Sequence, residues 1–85
     1  MAPWSLVLDE AVFQSFLALR ANDRRKALYA FEQLRSNPAG KVDFTTTDST
    51  GRTLSIVALR PFLVTYWLDA FVSEIRIVNI ERVRY

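Results

Sequence analysis

Eighty-five residues, 51% of them apolar, with eleven aromatics against two glycines and three prolines, are enough for one core and exclude a disordered chain. The lack of cysteine and histidine excludes a disulfide-stapled miniprotein and thiolate or imidazole metal centres, so no metal or cofactor is expected. The formal charge is only +2, but nine of the eleven basic residues are arginine, whose planar fork suits phosphates and carboxylates and directs attention to acidic partners.

Met1 to Leu8 lacks a basic leader and meets Asp9 too early for a signal peptide. The longest apolar stretch, Pro61 to Leu68, is far short of the ~20 residues of a spanning helix. A cytoplasmic protein with no membrane partner is the expectation. Trp4 to Leu8 reads as a strand that Asp9-Glu10 ends, and acidic residues suit the first turn of a following helix. From Glu10 to Arg20, Val12, Phe13, Phe16, Leu17 and Leu19 recur at helical spacing on one face. Asn22 or Asp23 is then placed to cap a second helix running to about Ser36. Its expected buried stripe is Ala27, Leu28, Phe31 and Leu34, with Arg24, Arg25, Lys26, Glu32, Gln33 and Arg35 outward. Asn37-Pro38-Ala39-Gly40 stops it, because proline disfavours helical geometry in the residue before it and glycine permits a reversal. The two helices are expected to form an antiparallel hairpin.

After Lys41, threonine, valine, isoleucine and aromatics predict strands over Val42 to Asp48, Arg52 to Leu59, Phe62 to Leu68 and Glu74 to about Arg82. The turns between them are Asp48-Ser49-Thr50-Gly51, Arg60-Pro61 and Asp69 to Ser73. Short connections make successive strands antiparallel neighbours. Phe62 to Leu68 is apolar on both parities and belongs at the sheet centre, with helices on one face and a groove containing Thr65 and Trp67 on the other. The predicted core includes Phe13, Phe16, Leu17, Leu28, Phe31, Leu34, Ile56, Val64, Tyr66 and Ile77. The fold class is α+β, one domain over residues 1–85: an amino-terminal strand, then a two-helix hairpin packed on a mainly antiparallel sheet.

Three segments carry a resemblance. They are the helix end Leu34-Arg35-Ser36-Asn37-Pro38, the segment Phe62-Leu63-Val64-Thr65-Tyr66-Trp67-Leu68-Asp69, and the ending Ile75 to Tyr85. In this order and spacing the chain resembles the toxins of the RelE/ParE toxin–antitoxin superfamily over nearly its whole length. That resemblance implies a cognate antitoxin that wraps and neutralises the protein, and a target that is messenger RNA on the ribosome or DNA gyrase. Ribonuclease members let the 2′-hydroxyl attack the adjacent phosphate, which needs a general base, a general acid and cations.

By the same resemblance, Arg82 is a candidate to stabilise a phosphorane. Tyr85 would transfer a proton or stack on a base, and Glu81 would be a base if its pKa were raised. Two departures stand beside these matches. Leu63 occupies the place of the family's central-strand arginine, and Glu81 stands where many members have histidine. Arg24, Arg25, Arg60, Arg76 and Arg84 are candidates to bind nucleic acid or a protein partner. Strict alternation in the last strand puts Arg76, Arg82 and Arg84 on one face and Glu81 and Tyr85 on the other, so a common phosphate site requires a bulge or turn after Ile80. Three functions remain open: a toxin that acts by binding, an RNA-cleaving toxin, and a non-catalytic relative that serves as a regulatory binder.

Overall fold

The computed structural model describes residues 3–40 and 42–83. Five strands and two helices follow in the order β1 (Ser5–Leu8), α1 (Glu10–Leu17), α2 (Ala21–Ser36), β2 (Phe44–Thr47), β3 (Thr53–Leu59), β4 (Phe62–Asp69) and β5 (Glu74–Arg82). The strands form one sheet in the order β1-β5-β4-β3-β2, with β4 at its centre. The β2–β3, β3–β4 and β4–β5 pairs are antiparallel, and β1 joins β5 in parallel with Ser5 opposite Glu74. The class expected from composition and turn spacing is therefore the one observed, an α+β fold with a mainly antiparallel sheet.

Local chemistry accounts for the element ends. Asp9 caps α1 by accepting the Val12 N–H at 2.8 Å, which satisfies one of the amides a helix start leaves free. The second helix begins earlier than expected, at Ala21, and Arg20 at its cap position makes no side-chain capping bond. Neither Asn22 nor Asp23 caps it, because both already lie inside the helix, where Asp23 supplies an acidic first turn. In the β2–β3 turn, Asp48 Oδ1 accepts the N–H groups of Thr50 and Arg52 at 2.9 Å each and the Thr50 hydroxyl at 2.6 Å. Gly51 closes that turn at φ +85°, a region only glycine enters without strain. Just ahead of the start of β2, the Asp43 side chain extends the contact with β3 by accepting the Ala58 N–H at 2.7 Å.

The core lies between the helices and one face of the sheet. It joins Val12, Ala27, Phe31 and Leu34 to Val57, Phe62, Val64, Tyr66, Ile75 and Ile77. Phe16 and Phe31 meet across the helices with ring centroids 6.2 Å apart. Arg24 reaches back to the Leu19 carbonyl at 2.6 Å and the Leu17 carbonyl at 3.4 Å, so its cation sits at the carbonyl end of α1. Pairs at 19–24 and 16–31 widen with distance from the joint, as an antiparallel helical pair requires. The buried Tyr66 hydroxyl donates to the Pro38 carbonyl at 3.4 Å, which ties the exit of α2 to the central strand.

Four residues expected in the core are not there. Phe13 and Leu17 are about half exposed, and Leu28 is 53% exposed. The apolar arc of each helix is wider than the strip that touches the sheet, and on α2 the buried positions are Ala27, Ala30, Phe31 and Leu34. Small Ala30 rather than Leu28 fills the inner stripe, which lets the helix approach the sheet closely. Ile56 is only partly buried, because it alternates with Val57 and so projects from the face the helices do not cover.

Candidate functional site: the open face and the end of strand β5

The sequence nominates the last strand, and its register decides which residues meet. Between Thr65↔Asn79 and Tyr66↔Ile77 the pairing of β4 with β5 shifts by one, leaving Val78 as an extra residue. Such a bulge reverses which parity of the strand faces the core. Before it Ile75 and Ile77 are buried; after it Ile80 pairs with Val64 and Arg82 pairs with Phe62 on the same inner face. Arg76, opposite Trp67, and Glu81, opposite Leu63, lie on the outer face. The expectation that Arg76 and Arg82 share a face is therefore corrected, and the irregularity comes before Ile80 rather than after it.

On the inner face Arg82 ends against α2. Its Nε donates to Asp23 Oδ2 at 3.1 Å, with side chains 43% and 17% exposed. Glu81 is exposed on the opposite face, so the two do not converge on one point. Arg84 and Tyr85 fall outside the described residues, as does any part of a site they complete. Arg60 is exposed in the β3–β4 turn, and Arg25 is exposed on α2. Arg24 is committed to the carbonyl end of α1.

The outer face holds a stack that the sequence reading did not assemble. The Arg52 guanidinium lies 4.0 Å from the centroid of the Trp67 ring and that of Arg76 lies 5.5 Å away, both within cation–π range. Arg76 donates to Glu74 at 2.7 Å. Its Nε is buried without a hydrogen bond, 3.6 Å from the Asp69 carboxylate, close enough for attraction but too long for that bond. Arg52 stands 3.8 Å from Asp48. A hollow of about 250 Å³ opens here, lined by Val7, Asp9, Arg52, Trp67, Arg76 and Val78 among others. Around two guanidinium groups stand the carboxylates of Asp9, Asp48, Asp69 and Glu74, so the stack is not a concentrated positive field. The available signal for Arg52 was its position just ahead of Leu54, whose side chain shares a face with Trp67.

Further along the outer face Leu63 has Ala58 and Glu81 as cross-strand neighbours, an apolar spot where a phosphate site needs a donor. Among the described residues no cluster of three or more acidic side chains is arranged to hold a metal, and no helix is long and apolar enough to cross a membrane.

The fold is an α+β arrangement of two helices on one five-stranded, mainly antiparallel sheet. A chain in the crystal structure of the archaeal RelE–RelB complex from Pyrococcus horikoshii OT3 has the same fold, with a TM-score of 0.71. The likeness covers 95% of this chain and 96% of that one at 17% sequence identity. No family model matches the sequence, and no curated protein matches it.

Proposed function

We propose that this chain is the toxin-like component of a type II toxin–antitoxin system. It acts in the cytoplasm on translation or DNA gyrase, and a cognate antitoxin binds and neutralises it. The observation that carries the reading is the fold shared end to end with a chain crystallised in a RelE–RelB complex. The helical pair supports a protein partner. Phe13 and Leu17 on α1 and Leu28 on α2 are large apolar residues left half exposed on the helical pair. Arg25 is exposed on α2, so an acidic amphipathic antitoxin segment is the complementary ligand.

Action by binding is favoured over RNA cleavage. Arg82 is held by Asp23 on the inner face, Leu63 brings no charge to the outer one, and the outer arginines are surrounded by carboxylates. The test is induced expression alone and beside the adjacent open reading frame, with RNA ends mapped in both cultures. Growth arrest without new RNA ends, relieved by the neighbour, is the expected result. New ends that disappear on Arg82→Ala would replace this reading with the ribonuclease one. Growth indifferent to the protein and to any neighbour would remove the toxin reading.

A further inference from the structure

Most arginines of this molecule are already satisfied where they stand. Arg24 meets a carbonyl, and Arg35, Arg52, Arg76 and Arg82 each meet a carboxylate. Arg25 and Lys26 differ, because both are exposed on α2 and neither makes a hydrogen bond or an ion pair with any described residue. At 3.6 residues per turn they fall with Asn22, Tyr29 and Gln33 on one arc of about 100°, opposite the buried stripe of Ala27, Phe31 and Leu34. The whole arc is exposed, Tyr29 by 67%. The two carboxylates of the helix lie outside it and are held, Asp23 by Arg82 and Glu32 by Arg35. This placement runs against local stability. The amino end of a helix already carries a partial positive charge that disfavours cations, yet Arg20, Arg24, Arg25 and Lys26 all fall within the first two turns of α2. A merely solvated face takes the form the same helix shows at Glu32 and Arg35, opposite charges three residues apart.

We propose that this face of α2 binds a single nucleic-acid strand, with Arg25 and Lys26 on its phosphates and an unpaired base stacked on Tyr29. Charge complementarity decides the occupant. The phosphate backbone supplies the anions that no described residue supplies to these two cations. The exposed phenol ring is a platform on which any base can stack, and its neighbours on the arc are hydrogen-bonding side chains rather than apolar ones. Asn22 and Gln33 add donors and acceptors at the two ends of the arc, about 16 Å apart along the helix axis. An acidic protein segment fits less well, since protein interfaces are apolar at their centre and here the large apolar residue, Leu28, lies to one side. An antitoxin laid over Leu28 would reach Arg25, three residues away, and compete with the strand.

The experiment is fluorescence anisotropy of a short labelled oligothymidylate, titrated with the full chain at several salt concentrations. DNA lacks the 2′-hydroxyl, so strand cleavage does not enter the measurement. Saturable binding is expected, with the logarithm of affinity falling against that of salt by about 0.7 for each phosphate neutralised. Arg25→Ala and Lys26→Ala should each reduce that slope by about 0.7. Tyr29→Ala should weaken binding about tenfold or more, and Tyr29→Phe should keep it, because the ring remains. These positions are exposed and alanine suits a helix, so the variants keep the native circular dichroism spectrum. Absence of binding at low salt overturns the proposal. So does binding that survives all three alanine substitutions, and so does a DNA duplex or polyglutamate bound more tightly than the single strand. None of these outcomes depends on toxicity or on an antitoxin, so the proposal and the toxin reading fail separately.

Discussion

Arg82 Nε donates to Asp23 Oδ2 at 3.1 Å although the residues are 59 positions apart, fastening the last strand to the first turn of α2. Part of the pair is open to solvent, so its worth is modest. A double-mutant cycle with Asp23→Ala and Arg82→Ala, read by urea unfolding, should give a coupling of about 0.5–1 kcal/mol. A coupling indistinguishable from zero would mean that the contact does not persist in solution.

Burial separates two phenylalanines that look alike in the sequence. Phe31 is 3% exposed and Phe13 is 47% exposed. Phe31→Ala should cost roughly 3–5 kcal/mol, a large share of the ~5–15 kcal/mol that holds a domain together. Phe13→Ala should cost about 0.5 kcal/mol in the isolated chain. Equal losses in chemical denaturation would contradict the observed inner stripe.

Burial pushes the Tyr66 phenol above its ordinary value, opposed by a hydrogen bond with Ser55. The folded state therefore keeps this proton after the unfolded chain has begun to release it near pH 10. Stability from this group is complete below that pH and is lost as pH rises toward the folded value. Unfolding free energies measured from pH 7 to 11 should fall at the alkaline end, and Tyr66→Phe should flatten the fall.

The Asp48 carboxyl behaves in the opposite sense. The hydrogen bond from the Thr50 hydroxyl is the largest cause holding it below the usual carboxylate range, with the Thr50 and Arg52 amides adding to the effect. Stability from this group is present above the unfolded value of about 3.9 and is lost as pH falls through the lower folded value. A carboxyl carbon titration by NMR should show Asp48 ionising at more acidic pH than a free aspartate, and Thr50→Val should move it back toward the ordinary range.

Much of this architecture is legible in the residues. The change from helical spacing before Pro38 to β-branched and aromatic strands after Lys41 fixes the class, and a strand apolar on both parities, Phe62 to Leu68, marks the sheet centre. What is not legible has physical causes. Helical spacing gives an apolar arc but not the part of it that meets the sheet, so Phe13, Leu17 and Leu28 were assigned inward. Alternation cannot reveal the extra Val78, so it placed Arg82 beside Arg76 when the two lie on opposite faces. The Arg52–Trp67–Arg76 stack joins β4, β5 and the residue that leads into β3, and follows only from their register.

The parallel pairing of β1 with β5 has a kinetic consequence. Ser5 must find Glu74, so the sheet closes only after nearly the whole described chain has been gathered. The two helices and the β2–β3, β3–β4 and β4–β5 hairpins join neighbours in sequence and can form early, whereas β1 meets β5 only across almost the whole described chain. Folding should therefore be slow for so small a domain, with β1 unprotected in the transition state and its amides among the last to resist hydrogen exchange during refolding.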